Sequence, residues 1–447
     1  MQLTPLWAIF PFLAYLLGIA LVPILFGHFW ESNRNKLIVA LVVSSPVLFY
    51  LLLRVPHGGE VLGRTACDYL SFMALLAALF TISGGICLRG SLVGSPLVNT
   101  AFLAVGAAIG SLVGTTGASV LLIRPMLRAN ERRAYLTHVA VFFIFIVSNG
   151  AGLLTPLGDP PLFLGFLRGV PFTWTLRLLP QWALVNGALL TIFAVIDKVQ
   201  FARERNHPPV RRHLTPRPES VDATGPLRIE GALNFVWLAG MVGLVFLIGS
   251  YGEHYLGDGY LRAVVQIGGT LGFAALSFKT TAPRVHQANR FSWGPIIEVA
   301  VVFVGVFITM VPAMSYLGER GASLGITKPW QFFWASGALS SVLDNAPTYL
   351  TFASLATGVA SSLGGTALSP DNLGALAAHP IGRELLTAIS CGAVLMGAVT
   401  YMGNGPNFMV KAIAEQHRVR MPSFLGYAVW SFAILIPLFG IVSHIFF

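Results

Sequence analysis

Two aspartates stand beside helix-breaking residues inside long apolar stretches of the sequence. Asp159 lies in TPLGDPPLF (155–163), between a glycine and two prolines, and Asp344 lies in LDNAPTYL (343–350). A charge at the centre of a bilayer costs at least ~2.5–3.5 kcal/mol and is retained mainly where it has a function. Carboxylate oxygens beside free backbone carbonyls suit a small hard cation such as Na⁺, and a proton competes for the same oxygens. Asp159 and Asp344 are therefore predicted to bind transported sodium or a proton; the alternative is that each only caps a helix.

The composition places these aspartates in a membrane protein. Of the 447 residues 55% are hydrophobic and 10% charged, and the mean hydropathy is +0.74, whereas soluble domains carry roughly 25% charged residues. A crossing needs ~20 apolar residues. Ten runs meet that need, near 5–27, 37–53, 68–88, 135–148, 178–197, 231–250, 260–278, 294–316, 383–400 and 424–446. The apolar pairs 98–112 with 116–127 and 331–341 with 347–360 are too short and interrupted to count as crossings.

The net charge of +10 is best explained by orientation in the membrane. If the basic segment 201–230 is cytoplasmic, only eight of the 28 lysines and arginines fall outside, which is the positive-inside bias. Both termini are then expected outside, and the arginine-rich segment 124–133 forms a solvated cytoplasmic edge. This distribution argues against a nucleic-acid partner and favours the lipid bilayer.

The two parts of the chain on either side of segment 201–230 repeat each other. GTTGASVLL (114–122) aligns with LDNAPTYLT (343–351) at an offset of 229, and TPLGDPPLF aligns with TYMGNGPNF (400–408) at an offset of 245. Five crossings in each part, an odd number, make the second copy inverted. Glycine and proline interruptions at matching positions of inverted repeats indicate the binding site of a secondary transporter near the midplane; a lone interruption would indicate only a kink.

The sequence thus predicts an all-α polytopic membrane protein. It consists of two inverted repeats, 1–200 and 231–447, joined by the cytoplasmic linker 201–230. Each repeat has five transmembrane helices, a re-entrant helical hairpin and a helix broken at the midplane. The expected tips of the hairpins are GTTGAS (114–119) and LDNAPT (343–348).

Further polar residues are candidates for the ion or substrate site. Those at the two breaks and the two tips are Asn149, Thr155, Asn404, Asn407, Thr116, Asn345 and Thr348. Asn149 could equally form an interhelical hydrogen bond, and the threonines could satisfy carbonyls that the breaks leave free. Asp68 and Glu298 each open a long apolar helix, where an acid complements the helix dipole; a role in proton relay or gating is the alternative.

The segments SNGAGLLTPLGDPP (148–161) and SSVLDNAPTYL (340–350) resemble motifs of the ion transporter superfamily, and within it those of NhaD-type sodium/proton antiporters. The superfamily also includes citrate transporters, arsenite permeases and divalent-anion/sodium symporters. The resemblance implies that Asp344, Asn345, Asn149 and Asp159 fall at ion-site positions, and that the protein forms a homodimer in a bacterial inner membrane. The first tip, GTTGAS, departs from the Ser-Asn-Thr signature of the dicarboxylate branch.

The sequence favours a sodium or lithium/proton antiporter that works by alternating access. Two acids in one site would repel a di- or tricarboxylate. The alternative is sodium-coupled symport of a small organic anion such as citrate. A Walker motif, a paired metal motif and a Ser/Lys dyad are all missing from the sequence, so no enzyme activity and no cofactor are expected beyond the transported sodium ion and proton.

Overall fold

The protein is built almost entirely of helices. The computed structural model describes residues 4–90, 93–206, 228–257, 260–320, 323, 325–365 and 367–447. The helices of the first part of the chain are α1 (Phe10–Leu25), α2 (Gly27–Trp30), α3 (Asn33–Arg54), α4 (Gly58–Gly84), α5 (Pro96–Val113), α6 (Thr115–Ala129), α7 (Thr137–Ile146), α8 (Pro160–Leu167) and α9 (Leu179–Asn206). Those of the second are α10 (Leu233–Leu256), α11 (Tyr260–Thr280), α12 (Pro283–Ala288), α13 (Gly294–Arg320), α14 (Pro329–Val342), α15 (Asn345–Gly364), α16 (Leu373–Ala378), α17 (Pro380–Leu395), α18 (Gly405–Gln416) and α19 (Phe424–Phe446).

Short elements connect these helices. Four 3-10 turns are described, at Leu6–Ile9, Gly150–Leu153, Phe172–Leu178 and Met396–Val399. Two three-residue strands, β1 (Cys87–Arg89) and β2 (Arg228–Glu230), pair antiparallel. The predicted linker begins later than expected, since α9 continues to Asn206 and β2 starts at Arg228. Residues 207–227, the greater part of the linker, lie outside the described residues.

Ten helices within the described ranges are long and apolar enough to cross a membrane. The chain is therefore an all-α, multi-pass integral membrane protein, as predicted. Nine of the ten predicted runs coincide with these helices. The run 135–148 was wrongly counted among them, because its helix, α7, has ten residues, whereas α5 reaches the required length with 18.

Although α5 is long enough to cross a membrane, α5 and α6 form a hairpin in which the start of α5 lies beside the end of α6. Gly114, the single residue between them, has φ +76°, a left-handed conformation that favours glycine. At the other end the Gly94 amide donates to the Ala129 carbonyl at 2.7 Å. The chain therefore enters and leaves this hairpin at the same level, with Gly114 at its tip. Helices α14 and α15 pack together in the second part of the chain, with Leu343 and Asp344 between them.

Asp68 and Glu298 do not open their helices, so this expectation was wrong. Helix α4 begins ten residues before Asp68, at Gly58, and α13 begins four residues before Glu298, at Gly294. The residues before each acid are helical although they include glycines and a proline: α4 begins with Gly58 and Gly59, and Pro295 lies in the first turn of α13, where a proline is tolerated. Neither acid is therefore explained as the cap of a helix N-terminus.

A buried ionic cluster closes the base of the α5–α6 hairpin. Asp197 on α9, with no exposed surface, lies 2.5 Å from Arg133 and 2.8 Å from His138. Asn99 on α5 donates to Asp197 at 2.9 Å and exchanges two hydrogen bonds with Asn130, next to α6. The prediction that segment 124–133 is a solvated edge was wrong at Arg133, whose side chain is 4% exposed. The burial arises because α9 supplies a carboxylate opposite it.

Candidate functional site

Four helices begin around one buried carboxylate, that of Asp159. Asp159 directly precedes α8, and its backbone is extended (φ −146°, ψ 144°), as at a helix N-cap. Two prolines at the first two positions of α8 lack amide donors, and a helix start is where this lack costs least. Helices α6, α15 and α18 begin at Thr115, Asn345 and Gly405. Each of these starts supplies a side chain to the carboxylate.

Neutral donors bind both oxygens of Asp159, which is 1% exposed. The Thr115 hydroxyl donates to Oδ1 at 2.9 Å, and the Asn404 amide donates to the same oxygen at 3.2 Å. The Asn345 amide donates to Oδ2. Among the described residues, the side chains hydrogen-bonded to this carboxylate are therefore hydroxyl and amide groups, and no basic side chain forms an ion pair with it.

The predicted asparagines connect the two parts of the chain. Asn149 donates to Asn407 Oδ1 at 2.8 Å, and its own Oδ1 accepts from Asn404 at 3.2 Å. Asn407 in turn donates to the carbonyls of Gly397 and Thr400, both at 2.9 Å. Asn149, Asn404 and Asn407 are at most 4% exposed. Asn149 thus forms the interhelical hydrogen bond foreseen as its alternative role, beside the carboxylate.

Asp344 lies next to the site and caps α15. Its carboxylate accepts from the Ala346 amide at 3.0 Å, and its carbonyl accepts from the Thr348 hydroxyl at 3.0 Å. The following residue, Asn345, is the donor to Asp159. Asp344 is half-buried, in contrast to the fully buried Asp159. The structure thus shows the helix-capping role that was the predicted alternative for Asp344. The Asp344 carboxylate nevertheless lies next to the residues around Asp159.

Thr155 and Thr400 occupy matching positions and hold the segments before Asp159 and Asn404 against the ends of α5 and α14. The Thr155 hydroxyl donates to the Ser111 carbonyl at the end of α5, and the Thr400 hydroxyl donates to the Ser341 carbonyl at the end of α14. Each hydroxyl also accepts an amide two residues later, from Leu157 at 3.2 Å and from Met402 at 3.0 Å. Both threonines are therefore part of the framework that fixes the residues before Asp159 and Asn404.

Replacement of either threonine by valine should weaken the fold. Thr155→Val and Thr400→Val keep the shape of the side chain but leave a buried carbonyl and amide without the hydroxyl, a loss of about 1–3 kcal/mol each. Thermal unfolding of the purified protein in detergent measures the effect. Thr191→Val is the matched control, since the exposed Thr191 hydroxyl bonds only within its own helix, to Gly187. Equal stability of all three variants would contradict the assigned role.

Thr115, which the sequence analysis did not name, is the residue at the first tip that bonds Asp159. Thr116 was named at the first tip, but Thr115 bonds Asp159, while Thr116 is half-buried beside it. Both threonines lie in GTTGAS, and α6 begins at the first of them. Only the first hydroxyl can be oriented to the carboxylate, because consecutive residues of a helix point about 100° apart.

Asp68 and Glu298 form ion pairs away from this group. Asp68 lies 3.7 Å from Arg168, which also pairs with Asp371 at 3.0 Å. Glu298 lies 2.5 Å from Lys36, whose side chain is 4% exposed. These pairs join α4 to the end of α8 and α3 to α13. The side chains hydrogen-bonded to Asp159 within the described residues do not include either acid.

The arrangement can bind and neutralise charge at one point in the protein's interior. Backbone amides at helix N-termini carry partial positive charge, and α6, α8, α15 and α18 all begin beside Asp159. The hydrogen bonds from Thr115, Asn345 and Asn404 favour the carboxylate as an anion, whereas its burial opposes the charged form. The carboxylate oxygens are hard ligands suited to a small cation, and in the structure they accept hydrogen bonds from the Thr115 hydroxyl and from the Asn345 and Asn404 amide groups.

Comparison with known proteins identifies the family. A family model described as "Putative citrate transport" matches residues 1–447. A search of curated proteins gives no match. Because the family model matches the whole length, the chain belongs to this citrate transporter family within the ion transporter superfamily.

Proposed function

We propose that this protein is a secondary transporter that exchanges sodium or lithium for protons, with Asp159 as the group that binds the two ions in turn. One observation carries the proposal: Asp159 is buried, lies beside the starts of four helices and, among the described residues, is hydrogen-bonded by neutral side chains. A buried carboxylate without a basic partner favours the uptake of a cation. Either Na⁺ or a proton can neutralise the Asp159 carboxylate, and the two compete for the same oxygens.

The same geometry favours a cationic substrate over an anionic one. Helix N-termini that converge at membrane depth attract an anion. Here the Asp159 carboxylate occupies that position, and Asp344 lies one residue from its partner Asn345. A citrate molecule at this point would meet two acids of the protein. Because the Asp159 carboxylate already supplies the negative charge, we expect the site to bind a cation.

Inverted repeats with broken helices are part of this proposal. The matching bonds support them, because Ser111 and Ser341 are 230 residues apart, and Thr155 and Thr400 are 245 apart, close to the sequence offsets of the repeat. In this scheme each hairpin and the irregular segment beside it move together between the two membrane faces. Asp344, Asn345, Thr348, Asn149, Asn404, Asn407, Thr155 and Thr116 would bind the ion or shape its site.

The proposed orientation has a cytoplasmic linker and both termini outside, in a bacterial inner membrane. The positive-inside bias supports the direction, and the contacts support only the division into two sides, since residues assigned to one side bond each other. Thr4 bonds Glu319, and Arg168 pairs with Asp68 and Asp371, all on the outer side. On the inner side, β1 pairs with β2, next to the linker.

Proteoliposomes with an imposed pH gradient test this function. Addition of Na⁺ or Li⁺ should dissipate the gradient, as reported by an internal pH-sensitive dye, whereas K⁺ should have a smaller effect. The reason is that a small, hard cation gains most from the carboxylate oxygens of Asp159. Empty liposomes provide the control. Failure of Na⁺ and Li⁺ to alter the gradient at any pH between about 6 and 9 would overturn the antiport proposal.

Sodium-coupled uptake of citrate is the second candidate, and the description of the family favours it. In that case the acids would bind only the coupling ion. The same liposomes distinguish the two functions when labelled citrate is added outside with and without Na⁺. Citrate accumulation that depends on Na⁺ would favour symport. A Na⁺-dependent pH change in the absence of citrate would favour antiport.

A further inference from the structure

A cavity of about 200 Å³ lies away from Asp159, between α4, α6, α18 and the segment 289–295. Two arginines, Arg124 on α6 and Arg290 after α12, contribute to its wall. The rest of the wall includes Phe80, Gly84, Val120, Asn289, Phe291 and Gln416. Cationic and amide groups thus share one small enclosure with two aromatic rings.

The cavity shares two helices with the proposed ion site but does not coincide with it. Arg124 follows Thr115 by nine residues of α6, or roughly 13 Å along the helix axis. Met409, also in the wall, follows Asn407 by two residues of α18. On the opposite side the wall comes from α4 and segment 289–295. A molecule in the cavity would therefore contact the site-bearing helices and their neighbours together.

The turn that carries Arg290 is held firmly in place. The Asn289 side chain donates to the Gly84 and Ile86 carbonyls, at 2.8 and 2.7 Å, and so attaches the turn to the end of α4. Arg290 itself has φ +48°, at the position after a helix where glycine is usual. Arg418 has φ +62° at the end of α18, so this backbone conformation by itself identifies no site. What distinguishes Arg290 is its place in the cavity wall.

The side chain of Arg290 also links two parts of the cavity wall. Its guanidinium donates to Gln416 on α18 at 3.2 Å, which connects the fixed turn to a site-bearing helix. The Phe80 and Phe291 rings, with centroids 5.4 Å apart, form an apolar part of the wall. One guanidinium group can donate two parallel hydrogen bonds to a carboxylate or phosphate group. The two rings would pack against the rest of a small molecule.

The size of the cavity limits what can enter. At ~30 Å³ per water molecule, 200 Å³ holds about six or seven waters. This is below the ~300–1,000 Å³ of sites for drug-sized ligands. A small anion or headgroup with a phosphate group or up to three carboxylate groups has a size and charge that suit two arginines in this volume.

We propose that this cavity is a second binding site, in which Arg124 and Arg290 bind a small oxyanion. The site is separate from the proposed cation site at Asp159. Because its wall joins α6 and α18 to α4 and segment 289–295, an oxyanion bound there would hold these elements together and slow ion exchange. The shared chemistry is a carboxylate or phosphate group, supplied either by a soluble anion or by a lipid headgroup.

Direct binding measurements on the purified full-length protein test the proposal. Citrate and inorganic phosphate are titrated calorimetrically into protein in an uncharged detergent. For the lipid source, thermal stability is compared in phosphatidylcholine nanodiscs with and without phosphatidylglycerol. Arg124→Gln and Arg290→Gln should each weaken binding of the effective probe about tenfold or more, since each removes charge-assisted hydrogen bonds.

The controls separate this site from general charge and from transport. Arg132→Gln removes an exposed arginine near α6 and should leave binding unchanged. Arg124→Lys and Arg290→Lys keep the charge and should give intermediate affinities. Asp159→Asn should bind the probe normally, which separates binding in this cavity from binding at the transport site, whichever ion or anion that site carries. Equal affinity of wild type and both glutamine variants, or no response to any of the three probes, would overturn it.

Discussion

Asp159→Asn should abolish sodium-dependent proton movement in proteoliposomes. The substitution keeps the size of the side chain but removes the negative charge that the cation neutralises. At an effective dielectric constant of about 20, a carboxylate and a cation about 4 Å apart attract each other by ~4 kcal/mol. Its loss weakens ion binding by close to a thousandfold. Ion flux at submillimolar Na⁺ should then fall to the level of empty liposomes.

The folded state of this variant should persist, because the amide that replaces the carboxylate can still accept the hydrogen bond from Thr115 or Asn345. Size-exclusion chromatography and thermal unfolding establish this before transport is measured. Asp371→Asn is the matched control, since that carboxylate is 80% exposed and pairs with Arg168 at the surface. Normal sodium-dependent exchange in Asp159→Asn would exclude Asp159 as the ion-binding group.

The sequence identified the polar center because its residues interrupt apolar segments. Asp159 and Asn404 adjoin prolines or glycines, Asn345 lies two residues before Pro347, and all three meet in the structure. Composition and apolar run length likewise predicted the all-helical membrane fold. These features are local, and each is detectable from residue types within one window of the chain.

Properties that depend on packing between distant segments could not be predicted in this way. Nothing local distinguishes Thr115 from Thr116, since the choice depends on where α6 begins and on how it meets α8. The start of α4 at Gly58 was missed because the less apolar residues before Asp68 are equally compatible with a loop. Element boundaries are decided by tertiary contacts as well as by the residues themselves.

The ionic cluster around Asp197 gives the clearest example. Asp197 ends an apolar run and precedes Lys198, a pattern typical of a helix that emerges into water. The structure instead buries it, because Arg133, His138 and Asn99 approach from 98 to 59 residues away in the chain. Only the partners reveal that this acid is internal. One sequence signal was present, the asparagines Asn99 and Asn130 at the ends of two apolar segments.

Asp197→Ala should cause the largest loss of stability. It leaves the guanidinium of Arg133 buried without the carboxylate 2.5 Å away, and removal of one partner of a buried pair costs roughly 3–5 kcal/mol. Glu204, 3.1 Å from Arg133, compensates in part but bonds a different guanidinium nitrogen. Thermal unfolding in detergent measures the loss. Since this cluster fixes the base of the hairpin whose tip carries Thr115, transport should fall along with stability.

Three further variants determine whether the charge of Asp197 is responsible for the loss of stability. Lys198→Ala alters the neighbouring exposed residue and should leave stability unchanged. Asp197→Asn keeps an oxygen for Asn99 but loses the charge opposite Arg133, so its stability should lie between those of wild type and Asp197→Ala. Replacing both Asp197 and Arg133 by neutral residues should recover part of the loss, because no uncompensated charge then remains buried. If Asp197→Ala alone unfolds like the wild type, the hairpin is held by its helix packing and the ionic cluster contributes little.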